Sequence, residues 1–262
     1  MVFLGIDIGS TWAKTILLDQ DQHILHREFS PTGFSSSQKA DEIMQKILQM
    51  GYQDHEIVSV ATGYGRVSVP YAHKTLTEIS CHAKGVSRIF EAKDACIIDI
   101  GGQDTKVIRT KNGKVIDFLM NDKCSAGTGQ FLTIMADTLE LSLSDMCQAA
   151  KAGGGTQISS MCTVFAQSEV VSLIGQGLSK EDIAFAIIDS LANKVKSLSS
   201  KMSDDADLVY LTGGLCELDY IIKSISKAIE KEVISLPMAR YAGAMGAAMF
   251  AAELNGAASI NR

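Results

Sequence analysis

Two short segments gather the residues best suited to handling phosphate. The first runs Asp7-Ile-Gly-Ser-Thr-Trp-Ala-Lys14-Thr-Ile. Its Gly9-Ser10-Thr11 turn exposes consecutive backbone N–H groups and two hydroxyls, which suits phosphate oxygens. Trp12 and Ala13 continue the turn, and Lys14 adds a positive charge. The second segment runs Asp99-Ile-Gly-Gly-Gln-Asp-Thr-Lys-Val-Ile108. Its Gly101-Gly102 pair allows the same close backbone approach. Carboxylates at Asp7 and Asp99 would repel phosphate unless Mg²⁺ lay between them, which is how that ion is usually held. Asp104 can contact the metal or its water, and Gln103 can position an attacking water. Neither segment is a Walker A loop or a Rossmann dinucleotide fingerprint. Either turn alone could be an ordinary hairpin connection.

Two cysteines suggest a different chemistry. Cys124 lies in Asn121-Asp-Lys-Cys-Ser-Ala-Gly-Thr-Gly-Gln-Phe131, and Cys162 in Ile158-Ser-Ser-Met-Cys-Thr-Val-Phe-Ala166. A helix-like stretch follows each, and Ser160 or Thr163 can cap the second. Both cysteines are therefore expected at positive helix ends, which favour a thiolate or an anionic cluster. Two cysteines are too few for an all-cysteine iron–sulfur cluster, which needs four. A twofold dimer would supply two from each chain. Taken alone, the pair reads first as buried structural thiols. Cys81, Cys96, Cys147 and Cys216 read as packing residues, since free cysteine is often buried.

The elements that must position these groups follow from a repeat. Asp, Ile, Gly, Lys and the final Ile of the two segments match at a constant spacing of 92 residues. An apolar run precedes and follows each copy, which reads as strand, glycine turn, strand. Asn112-Gly113 between apolar runs is a strong hairpin signal. Each half thus opens with a three-strand antiparallel meander. Periodicity near 3.6 predicts helices over 40–50, 129–141, 164–174 and 183–198. A short buried strand over 208–211 ends at Thr212-Gly213-Gly214, and the Ala/Gly-rich stretch 242–254 reads as a closely packing helix. The expected fold is α/β with two similar lobes and a nucleotide cleft between them. Residues 1–93 plus about 240–262 form the first lobe, and 94–239 form the second.

Composition narrows the class. The 262 residues carry 24 basic and 30 acidic side chains, a net charge of −6, which argues against a nucleic-acid partner. With 46% hydrophobic residues and 3 prolines the chain reads as globular, not disordered. No run of about 20 apolar residues suggests a membrane span. The apolar start lacks a basic flank, so a signal peptide is not indicated and a cytoplasmic location is expected. Six cysteines are then more naturally free, metal-bound or catalytic than disulfide-bonded.

The two Asp-x-Gly turns and the late Thr-Gly-Gly resemble the sugar kinase, Hsp70 and actin ATPase superfamily, built of duplicated ribonuclease H-like lobes. That resemblance implies that both turns clamp the phosphates of ATP or ADP. It places Gly213 and Gly214 beside the adenosine, and a closing segment around Tyr241 and Gly243 against the first lobe. The cysteine segments, together with Ala61-Thr-Gly-Tyr-Gly-Arg66, Glu78-Ile-Ser-Cys-His82 and Asp99 to Asp104, resemble the 2-hydroxyacyl-CoA dehydratase activators. ATPase subunits of benzoyl-CoA reductases are related. The resemblance spans nearly the whole chain. It implies a homodimer with one 4Fe-4S cluster at the interface, held by Cys124 and Cys162 of each chain. It further implies ATP-driven transfer of one electron to a separate dehydratase, with reduced ferredoxin or flavodoxin as donor. Gln130 departs from the pattern, standing where Arg is more usual. The competing readings are a small-molecule kinase of the same fold without a cluster, and a nucleotide-dependent regulatory module.

Overall fold

The computed structural model describes residues 1–160, 162–203, 206 and 208–260, with the backbone alone over 257–260. Met161, which belongs to the Cys162 motif, lies outside them. The chain opens with β1 (Val2–Ile8), β2 (Trp12–Leu18), β3 (Ile24–Pro31), α1 (Ser36–Gln49), β4 (Ile57–Thr62), β5 (Lys74–Thr75) and α2 (Glu78–Ile89). It continues through β6 (Ala95–Ile100), β7 (Thr105–Lys111), β8 (Lys114–Asn121), α3 (Gly129–Thr138), α4 (Leu143–Ala150) and α5 (Thr163–Gly175). It closes with α6 (Lys180–Ser203), β9 (Val209–Gly213), α7 (Asp219–Ile229), β10 (Val233–Ile234) and α8 (Ala242–Ile260).

Two compact units result. One comprises 1–94, 110–116 and 238–262, and the other 95–109 and 117–237. The tip of the β7–β8 hairpin joins the first unit because Gly113 N–H donates to the Lys93 carbonyl and Asn112 N–H to the Asp94 carboxylate, at 2.8 and 2.6 Å. Asn112 and Gly113 both adopt positive φ, 51° and 73°, as the paired central residues of such a turn require.

The first unit is built on a sheet of order β3-β2-β1-β4-β5. β1 and β2 are antiparallel, as are β2 and β3, while β4 runs parallel to β1. All seven residues of β1 are buried, as expected of an apolar strand covered on both faces. Ser35 and Thr77 cap α1 and α2 by accepting from Gln38 N–H and Ser80 N–H. α8 packs backbone to backbone against this unit. A Cβ on Gly5 would strike the Ala244 carbonyl, one on Gly85 the Ala242 carbonyl, and one on Gly246 the Cys81 carbonyl.

The second unit repeats the plan with the order β10-β9-β6-β7-β8. β6 is fully buried and β9 runs parallel to it. Helices α3 to α7 contribute a core centred on Phe131, Met135, Ile187, Leu191 and Leu211. The duplication reaches beyond the Asp-x-Gly turns. Asp7 pairs in register with Thr62, and Asp99 with Thr212. Each threonine is followed by a glycine of positive φ, Gly63 at 89° and Gly213 at 90°. No described helix is long and apolar enough to cross a membrane.

The close approach of α8 yields a stability test. Gly246→Ala should lower the free energy of unfolding by about 3 kcal/mol through overpacking, read as a lower urea midpoint at unchanged slope. Gly256→Ala, in the same helix with open space around it, should leave the midpoint equal or higher.

Candidate functional site

Asp7 ends β1 with only 3% of its surface exposed. Register places Lys14 opposite it, and the ammonium lies 3.2 Å from Asp7 Oδ2. The Gly9 N–H donates to the Trp12 carbonyl at 3.1 Å and closes the turn. Thr32 takes the turn's carbonyls: its hydroxyl donates to Gly9 O at 2.8 Å and its N–H to Thr11 O at 2.9 Å. Ser10 and Thr11 remain exposed. With the Gly9, Thr11 and Trp12 carbonyls occupied, the turn keeps the Ser10 and Thr11 hydroxyls exposed, a set suited to an anion. Ala13 is buried in the core and can contribute backbone alone, and the Trp12 ring stacks on Phe29 with centroids 4.4 Å apart.

Glycines hold the Asp7 carboxylate from two sides. A Cβ on Gly63 would lie 2.6 Å from Oδ1, and one on Gly243 would lie 2.8 Å from Oδ2 and 3.0 Å from His82 Nε2. Any larger residue would displace the carboxylate. Gly243 thus reaches the Asp7 turn, whereas the Tyr241 ring lies beside the Arg27 guanidinium at 5.8 Å.

The second unit rebuilds the arrangement and adds a second carboxylate to it. Asp99 is 4% exposed and accepts from Thr212 Oγ1 at 2.9 Å. Lys106 Nζ lies 2.7 Å from Asp104 Oδ2 and 3.4 Å from Asp99 Oδ2. One ammonium thus lies between two carboxylates. Gly213 abuts Asp99 Oδ1, and Gly101 abuts Asp104 Oδ1. Gly214 donates to the Ile100 carbonyl at 3.2 Å, with open space where a side chain would sit. Gln103 is exposed at the turn's tip. Lys106 is a further residue of this site, legible in the sequence because the 92-residue repeat aligns it with Lys14. In each unit the carboxylates sit in a cradle that a Cβ would fill, beside a donor-rich turn. These residues fit a hydrated Mg²⁺ and the phosphates it would carry.

The cysteines separate into two groups. Cys81, Cys96, Cys147 and Cys216 are buried, and Cys124 and Cys162 are exposed. Burial pushes the Cys81 thiol up to about 12, and Cys96 and Cys147 up to about 11, so these three stay protonated at neutral pH. Cys162 is the N-cap residue of α5, as expected, but neither Ser160 nor Thr163 caps that helix. Their hydroxyls are engaged elsewhere. Thr163 Oγ1 lies 2.9 Å from Ser125 Oγ, which ties the Cys124 and Cys162 segments together one residue beyond each thiol. Glu169, two turns into α5, clamps the preceding loop. It accepts from the N–H and hydroxyl of Ser159 at 3.0 and 3.1 Å, and from those of Ser160 at 3.0 and 2.6 Å. Burial raises the Glu169 pKa, but these bonds outweigh it and hold the group below the ordinary glutamate value. Cys124 lies in the turn ahead of α3, whose N-cap is Thr128. Asn121 Nδ2 holds that turn by donating to the Cys124 and Ala126 carbonyls, at 2.9 and 3.2 Å. Two exposed, adjacent thiol segments among four buried cysteines fit half of a four-thiolate site.

The same turn reaches the Asp99 segment. Gly129 and Gln130, the first residues of α3, donate their N–H groups to the Gly101 and Gly102 carbonyls at 2.8 and 2.9 Å. The buried Thr105 hydroxyl donates to Gly127 O at 2.7 Å. The phosphate-type turn and the cysteine turn are therefore hydrogen-bonded neighbours within one unit. Gln130 serves here through its backbone.

Residues 4–251 match the BadF/BadG/BcrA/BcrD ATPase family. The chain belongs to that family. It is 40% identical over 252 residues to the (R)-2-hydroxyglutaryl-CoA dehydratase activating ATPase of Acidaminococcus fermentans, covering 95% of this chain and 96% of that one. The structure of the activator of the 2-hydroxyisocaproyl-CoA dehydratase from Clostridium difficile, with bound ADPNP, superposes with a TM-score of 0.90 at 36% identity, over 100% of this chain and 98% of that one. A ROK family glucokinase from Streptomyces griseus shares the fold at a TM-score of 0.64 and 14% identity, over 97% and 100% of the two chains. The family member described here thus has the sugar-kinase-type α/β fold, and its homologues include dehydratase activators.

The Glu169 clamp can be tested on the protein alone. Glu169→Ala should speed amide hydrogen exchange at Ser159 and Ser160 at least tenfold, equivalent to about 1.4 kcal/mol for a charged acceptor removed. Exchange in the buried core, at Ile187 for example, should stay unchanged.

Proposed function

We propose that this ATPase-family protein uses ATP to deliver single electrons to a 2-hydroxyacyl-CoA dehydratase. The observation that carries the reading is the hydrogen-bonded contact between the Asp99 turn and the segment bearing Cys124, with Cys162 tied to it through Thr163. Exposed thiols hydrogen-bonded through their loops to a phosphate-type turn support a redox role over that of a kinase.

In this reading the Gly9-Ser10-Thr11 and Gly101-Gly102 turns take phosphate oxygens of ATP, with Lys14 and Lys106 balancing charge. Asp7, Asp99 and Asp104 would hold Mg²⁺, and Gln103 would orient the attacking water. Gly213 and Gly214 would lie beside the nucleoside, with open space at Gly214, and Gly243 keeps the Asp7 carboxylate in place. Cys124 and Cys162 from each of two copies would hold one 4Fe-4S cluster in a homodimer. When bound, that cluster supplies a one-electron store at the protein surface. Val164 and Phe165, beside Cys162, are 66% and 68% exposed, which suits a face covered by a second copy. A reduced ferredoxin or flavodoxin would refill the site.

Energetics explain why ATP is needed. Moving a one-electron step by about 200 mV takes about 4.6 kcal/mol. Two conformations that bind ATP differently can supply it. A shift of the Gly101–Gly102 turn on nucleotide binding draws on α3 through Gly129 and Gln130, and so on the Cys124 turn. Which 2-hydroxyacyl-CoA is dehydrated is decided by the partner enzyme, because that substrate never enters this chain.

Separated variants test the division of labour. Cys162→Ala should bind no iron and keep ATP hydrolysis within about twofold. Asp7→Asn combined with Asp99→Asn should lose at least about 100-fold in hydrolysis, about 2.7 kcal/mol, and keep its iron. Full hydrolysis after both aspartate changes, or four irons per dimer in Cys162→Ala, would contradict the assignment. An iron-free protein that phosphorylates a sugar would establish the kinase reading instead.

A further inference from the structure

We infer that Lys194 sets how readily the Cys124–Cys162 site accepts its electron, by holding a half-buried ammonium in the cavity that Cys124 lines. The inference rests on the cluster reading above.

Several contacts aim this side chain. Lys194 lies in α6, and Gly127 comes down on its stem: a Cβ on Gly127 would sit 3.4 Å from Lys194 Cβ. Gly127 has φ of 89°, which glycine adopts without strain. The Thr105 hydroxyl fixes this approach by donating to the Gly127 carbonyl. Lys194 Nζ then lies 5.6 Å from the centroid of the buried Phe131 ring, on the first turn of α3. A face-on ring of this kind holds a cation in place. Lys194 and Cys124 line one cavity of about 440 Å³, with Met120 and Leu198 among the other walls. Burial pulls the Lys194 pKa below the ordinary lysine value, and nearby Cys124 and Cys162 offset only part of that pull. By contrast Lys123, next to Cys124 in sequence, is exposed.

The physical consequence follows from charge. One electron arrives from a reduced low-potential iron–sulfur or flavin protein, which is oxidised by one electron, and no bond or proton changes place. The site becomes more negative by one unit. A cation in partly desolvated surroundings stabilises that form more than the oxidised one, because net local charge is one of the levers on such potentials. A solvated cation such as Lys123 is screened and contributes less.

The test compares anaerobically purified wild type with Lys194→Met, Lys194→Gln, Lys194→Arg and Lys123→Met. Each is assayed for iron and acid-labile sulfide and then titrated for midpoint potential by EPR. Iron content should match wild type throughout. Lys194→Met and Lys194→Gln should each weaken the reduction equilibrium about tenfold, a shift of about 59 mV to lower potential. Lys194→Arg should stay near wild type, and Lys123→Met should shift by less than half as much. An unchanged potential in iron-loaded Lys194→Met and Lys194→Gln would overturn the inference alone, as would an equal shift in Lys123→Met. An iron-free wild type would overturn the cluster reading, and this inference with it.

Discussion

Two backbone hydrogen bonds, from Gly129 N–H to the Gly101 carbonyl and from Gln130 N–H to the Gly102 carbonyl, join the start of α3 to the Asp99 turn. The first N–H groups of a helix have no partner within it, and here the turn's carbonyls supply that partner. The turn thereby turns its carbonyls toward α3. Thr105 adds a buried bond to Gly127 one step earlier in the same loop. Cys124 lies three residues before Gly127, so little slack separates the thiol from the turn. Lys194, Phe131 and the Ser125–Thr163 contact all gather round this short loop. The Asp99 turn and the Cys124 loop are therefore directly hydrogen-bonded within this unit.

The paired carboxylates obey a related constraint. Asp7 and Asp99 are almost wholly buried, and burial of a lone carboxylate is strongly unfavourable. Lys14 and Lys106 offset that, each from the neighbouring antiparallel strand. Such pairs contribute little net stability, but losing one partner leaves a buried unpaired charge. Their presence in both units fits a site that must keep a carboxylate at a fixed place. The glycines at 63, 213 and 243 serve the same end, since a Cβ at any of them would push the carboxylate aside.

Much of this could be read from residues. The 92-residue repeat showed both Asp-x-Gly turns and their strands, and it aligned Lys14 with Lys106. Period and spacing located α1, α3, α5, α6 and α8, because each carries a buried stripe or a small-residue run. The Thr62–Gly63 partner of Thr212–Gly213 was hidden, because its spacing does not follow the repeat. The family resemblance quoted the run from Ala61 to Arg66, but the residues alone gave it no role. Glu169 and Lys194 were invisible for another reason. Glu169 reaches back 9 or 10 residues to the loop before its own helix and Lys194 reaches a loop far away in sequence, and helical periodicity says nothing about where a polar side chain reaches. Small residues before a helix place Cys124 near its start but do not say how many lie outside it, and Thr128 takes the cap.

The account's central claim is that two exposed thiols per chain form half of a shared cluster site. The most direct measurement is iron and acid-labile sulfide per chain after strictly anaerobic purification, with native mass determined on the same sample. The account predicts about two irons and two sulfides per chain in a dimer, as one four-thiolate cluster shared by two chains requires. A chain that hydrolyses ATP but stays iron-free and colourless after cluster reconstitution would contradict it.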